Sequence, residues 1–161
     1  MPEDSLLDQL VEAWETNNRI TLMLVENVSK DGMACTMSKR GGRDVSRQFA
    51  HLHTNRLRQL AGKGGKDLIE GIVEFESKEQ PSAAKLKKAL TASGEALSKF
   101  IREVGSGERE KRQQKKGIAV TVAYHIAHES HHRGSILLTL KQCGHGLHQD
   151  VTYGIWDWHR R

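Results

Sequence analysis

Apolar residues recur along this chain at steps of three, four and seven, the spacing that gathers side chains on one face of an α-helix. Leu7, Leu10, Trp14, Thr21, Val25 and Val28 fall near one stripe and predict a first helix over residues 5–28, capped by Asp4 or Ser5. A loop rich in glycine and charge follows (SKDGMACTMSKRGG), with Gly41 and Gly42 at its end. The second predicted helix covers 44–61. Val45, Phe49, Leu52, Leu57 and Leu60 make its apolar side, and Gly62, Gly64 and Gly65 stop it. Residues 66–80 are too many for a tight turn. Leu68, Ile69, Ile72, Val73 and Phe75 make this stretch apolar enough to lie against the other helices, as a short helix or an extended crossover. Pro81 and Ser82 open a third helix with Leu86, Leu90, Leu97, Phe100, Ile101 and Val104 on its core side, closed by Gly105 and Gly107. A fourth spans 118–143 and ends at Gly144, leaving a tail that reads YGIWDWHRR.

Four helices with one long connection predict an all-α fold, a single four-helix-bundle domain over 1–161 whose second and third helices run parallel. Composition agrees: 37% apolar and 28% charged residues describe a globular chain, and two prolines with 5% aromatics fit helices better than many-turned sheets. No run of about 18 uncharged apolar residues is present, so no membrane span is expected. The start, MPEDSLLDQL, carries acid where a secretory leader carries base, which points to a cytoplasmic protein. Cys35 and Cys143 lack metal-ligand spacing and read as two reduced thiols. The net charge of +5 owes much to residues 108–116 (EREKRQQKK), which read as a solvated connection. Without a basic face interleaved with aromatics, nucleic acid is not an expected partner.

The chemistry lies in YHIAHESHHRG, residues 124–134, where four of the nine histidines sit within eight residues. His128 and His132 are one helical turn apart, and such a pair can bring two imidazole nitrogens to one ion at about 2.0–2.1 Å. Thr121, His125 and Ser135 share that stripe on a helix otherwise filled with Ile, Val, Ala and Leu. Burying a polar line without partners costs several kcal/mol, so the stripe needs a reason. The second helix offers His51 and His53 as a third ligand. The helical wheel prefers His53, between the directions of Phe49, Leu57 and Leu60, and sets His51 at the polar margin near Asn55 and Arg58.

Taken together, AHLHTNRLRQL and AHESHHRGSILLTLKQCG resemble the DinB-type metal-binding four-helix bundles, also called YfiT-like. The shared pattern is one histidine after small or apolar residues on the second helix, then H-x-x-x-H-R-G on the fourth. The TYGIWDWHRR tail is similar to one branch of that family. The resemblance implies His51, His128 and His132 as ligands of a divalent ion (zinc, nickel or iron), with His53 the alternative to His51 from the wheel. It implies a small-molecule substrate, a homodimer, and an enzyme that activates a low-molecular-weight thiol such as bacillithiol or mycothiol, or a water. A thiol-dependent S-transferase is the leading form, with a metal-dependent hydrolase or a non-catalytic, stress-associated metal-binding dimer as alternatives. Ser135 stands where the family often has glutamine, and Arg58 and Gln59 stand where relatives tend to be apolar.

Several other residues have two readings. His125 has three: it lines the pocket above the metal, acts as an acid–base group, or simply packs. Glu129 is a surface or interface acid, or orients a ligand histidine. Arg133 binds a carboxylate or joins helices. Asn17 or Asn18 faces a polar cavity or solvent. His131 is expected exposed, His145, His148 and His159 in turns or the tail, and Trp14, Trp156 and Trp158 covering a terminus or an interface.

Overall fold

Three of the four long helices begin where a short polar side chain takes up a free amide. The computed structural model describes residues 5–110 and 115–161, so Asp4 and the middle of the charged stretch at 108–116 lie outside the described residues. Ser5 accepts from the Asp8 amide at 3.2 Å and starts α1, Leu6–Asn27. Ser29 caps α2, Lys30–Met33, a single turn inside a loop that the sequence reading left irregular. The Asp44 carboxylate accepts from the Arg47 amide at 2.8 Å and opens α3, Val45–Gly62. Ser82 caps α4, Ala83–Ser106, which ends on Gly107 at φ 85°, a left-handed conformation that glycine adopts without strain. Then come α5, Ile118–Gln142, and a short α6, Gln149–Gly154. Among the described residues there is no strand, and no helix is long and apolar enough to cross a membrane.

Contacts between helices give the topology. α4 runs antiparallel to α1: the Trp14 indole donates to the Gly94 carbonyl at 2.9 Å, and Arg102 reaches Asp8 at the other end. Gly94 permits this approach, since a Cβ there would sit 2.3 Å from the Asn18 side chain. α3 runs parallel to α4, with the Ser46 hydroxyl on the Pro81 carbonyl (2.7 Å) and His53 on Ser93 (3.0 Å). α5 is antiparallel to α3, where His51 meets His132 and Asn55 meets His128, and parallel to α1, where Trp14 meets His125 and Asn17 meets Glu129. The expected parallel pair is therefore present. The crossover joining it is a 3-10 turn at Lys66–Ile69 and then irregular chain. Leu68, Ile69 and Ile72 pack at one end of the bundle and Phe75 at the other, whereas the Val73 side chain faces out, 79% exposed.

Two apolar clusters fill the bundle ends. One gathers Leu24, Phe49, Leu52, Leu90, Ile136 and Leu140; the other gathers Trp14, Leu60, Leu97, Phe100, Ile101 and Val122. Between them all four long helices contribute buried polar groups: Asn17 and Thr21, His53 and Arg56, Ser93, and His125, Glu129 and Arg133. Of the three tryptophans only Trp14 is fully enclosed. Trp156 is 76% exposed.

Candidate metal centre

His51 projects from α3 and His128 and His132 from α5, across the seam where these antiparallel helices meet. Their ring centroids stand 4.7, 4.8 and 5.3 Å apart, and one nitrogen from each lies within 4.8 Å of the others. All three are half-buried, enough to perturb them while leaving one side open to solvent. Burial, with the charge of Arg43 and the neighbouring imidazoles, pushes the pKa of His51 and of His132 down to about 4, and burial likewise lowers that of His128. At neutral pH the three rings are uncharged, with lone pairs available, which is the state metal binding requires. The triad can hold a metal ion.

The two candidates on the second helix separate cleanly. His53 faces inward, as the wheel indicated, but inward is not where the cluster lies. It is fully buried, its Nε2–H donating to the Val73 carbonyl at 2.9 Å and its Nδ1 accepting from the Ser93 hydroxyl at 3.0 Å. With both nitrogens hydrogen-bonded to protein, it stands outside the cluster. His51, two residues and about 200° away around the helix, reaches the seam.

Around the triad, the Tyr124 ring stacks on His128 (centroids 5.9 Å, planes 15° apart), and the Asn55 amide sits 3.3 Å from the His128 Nδ1. His131 is exposed, as expected, with its ring against His132. Ser135 is also exposed and so leaves the polar stripe.

Directly beneath lies a buried ion pair that sequence reasoning missed. Arg56 and Glu129 are 0% and 1% exposed and meet side-on, with Nε–Oε1 at 2.7 Å and Nη2–Oε2 at 3.0 Å. Glu129 also accepts from the Asn17 amide (2.8 Å) and the Thr21 hydroxyl (3.1 Å), so it neither reaches the surface nor orients a ligand histidine. Arg133 donates to Asn17 Oδ1 and Thr21 Oγ1, which gives it the helix-joining role, and Asn17 faces this interior rather than solvent. Arg56 further donates to Asn18 and to the Leu90 carbonyl, both at 2.8 Å, with its guanidinium 4.8 Å from the Trp14 ring centre. Burial pushes the Glu129 carboxyl up, but Arg56 and Arg133 overcome this and hold it below its ordinary range. A signal was present in the sequence: Arg56 stands four residues before Leu60 and seven after Phe49, on the apolar side of its helix.

His125 is a different case. It is fully buried between the rings of Trp14 (5.7 Å) and Tyr124 (5.5 Å), and neither nitrogen has a hydrogen-bond partner. Burial drops its pKa to about 4.

The family model of the DinB family matches residues 1–158, nearly the whole chain, and the chain belongs to that family. No curated protein and no solved structure matches it.

Proposed function

Taking a DinB-family chain with a clustered histidine triad as the premise, we propose that this protein is a metal-dependent enzyme whose ion, held by His51, His128 and His132, activates a low-molecular-weight thiol or a water against an electrophilic small molecule. One observation carries the reading: three neutral imidazoles converge on one point at a helix seam, with the fourth side facing solvent. A divalent ion with three neutral ligands keeps its full charge and an open position, so it can lower the pKa of a bound thiol or water toward neutrality. Three imidazoles suit zinc, nickel and iron alike.

The chain's own residues supply the rest. The Asn55 amide, 3.3 Å from His128 Nδ1, holds the rotation of that ring. Tyr124 forms an aromatic wall beside His128, against which an apolar part of a substrate can lie. His125 enters this reading as a proton acceptor. It is neutral at pH 7 and has no hydrogen bond to give up, and Tyr124 must swing aside before substrate can reach it.

Metal analysis of the purified protein and of His51→Ala, His53→Ala and His128→Ala variants tests the site. The first and third substitutions should abolish stoichiometric metal and the second should keep it; metal retained in all three would sink the site. Conjugation of a bimane-type electrophile to several thiols, with and without metal, tests the reaction. A metal-loaded protein inert toward thiols and hydrolysable esters would leave a passive metal-binding bundle instead.

A further inference from the structure

A cavity of about 360 Å³ opens at the start of α5, separate from the histidine seam but sharing a wall with it. Lys63, at the C-terminal end of α3, and Lys115 and Lys116, just before α5, line it together with Gln59 and Tyr124. Among the described residues no carboxylate pairs with any of these lysines, whereas nearby Arg109 is held by Asp67 and Glu103. Three ammonium groups facing one cavity repel each other and raise its affinity for negative charge. The same wall contains Gly117, where α5 begins with no side chain capping its first amides, so further donors point the same way. The volume falls within the range of about 300–1,000 Å³ common for small-ligand sites.

Tyr124 connects the two places. Its ring lines the cavity on one side and stacks on His128 on the other. A molecule held at the lysines by one end therefore extends across Tyr124 toward the triad. We propose that this cavity binds the anionic group, a carboxylate or a phosphate, of the molecule on which the histidine centre acts. The assignment of the anion to that centre's substrate rests on the function proposed above; the anion site itself does not.

The test uses metal-free protein, so that no anion can bind through an ion. Inorganic phosphate and succinate are titrated separately by calorimetry at low ionic strength, into wild type, into Lys63→Gln/Lys116→Gln and into Lys78→Gln/Lys88→Gln. The last pair alters two exposed lysines elsewhere and removes the same net charge. One anion should bind per chain, at least tenfold more weakly to the first double variant and within twofold of wild type to the second. Whichever anion binds more tightly identifies the group. Equal weakening in both variants, or no saturable binding of either anion to wild type, overturns the proposal. Lysine-dependent binding in a chain that never takes up metal would overturn the proposed function and leave the anion site standing. An active metal-loaded enzyme indifferent to Lys63 and Lys116 would leave the proposed function standing and overturn the assignment of this anion to its substrate.

Discussion

Replacing His125 with leucine tests how the bundle handles its most enclosed imidazole. That ring touches Trp14 and Tyr124, has no hydrogen bond to either nitrogen, and titrates at about 4 rather than 6.5. The charged groups that face it are Glu129, which favours its protonation, and Arg56, His128 and Lys63, which oppose it; burial outweighs them all. Below about pH 6.5 the unfolded chain takes up a proton at this position, and the folded chain refuses one until about pH 4. Native stability is therefore lost as pH falls through that window. At pH 4.5 the two titration curves differ by about 2.5 kcal/mol. Leucine is of similar size and cannot titrate, so the variant escapes this loss. Urea unfolding of metal-free wild type and variant at pH 7.5 and 4.5 measures it. Comparing the two pH values cancels any constant packing effect, and the other histidines titrate in both proteins. The variant should lose about 2.5 kcal/mol less than wild type between the two conditions. Parallel losses would refute the argument and mean that the bundle admits a proton, or water, to this ring.

Other outcomes follow from the geometry. Glu129→Gln strands the Arg56 guanidinium inside the bundle and should destabilise it by about 3–5 kcal/mol in urea unfolding at pH 7; adding Arg56→Met should recover much of this, because the charge left behind is then gone. His53→Ala should keep its metal yet cost about 1–3 kcal/mol of stability, since Ser93 and the Val73 carbonyl lose their partner. Gly94→Ala pushes a methyl into the Asn18 side chain and should cost about 1–3 kcal/mol, with Asn18→Ala in the same chain relieving part of it; a neutral Gly94→Ala melting curve would mean that α1 and α4 can separate without penalty.

The four long helices were legible because their signals are local. Ser5, Asp44 and Ser82 cap where the periodicity begins, and Gly107 and Gly144 end it, so boundaries fall within a residue or two. The parallel pairing of α3 and α4 followed from the length of 66–80. The centre of the bundle was less legible for a physical reason. A helical wheel reports which way a residue faces relative to its own helix, and nothing about where the neighbouring helix lies. His51 is at the margin of α3 yet meets α5 there, while His53 is on the core side and meets Ser93. The resemblance to a known motif supplied the third histidine of the cluster; periodicity did not. Glu129 and Asn17 each keep two readings in the sequence because their partners lie 73 and 112 positions away. The α6 turn carried too few residues to show a period at all.

The reach of Arg56 also limits how this chain can be divided. One guanidinium touches Asn18 on α1, the Leu90 carbonyl on α4 and Glu129 on α5 while rooted in α3. A fragment lacking α3 or α5 keeps a buried anion or a buried cation without its complement, and one lacking α1 or α4 takes a neutral acceptor away from the guanidinium. Excised hairpins, split genes and nicked halves of this fold should then be poor at persisting alone, and the two halves should find each other or be degraded. Insertions and permuted ends belong in the exposed stretch at 37–43 and not within a helix.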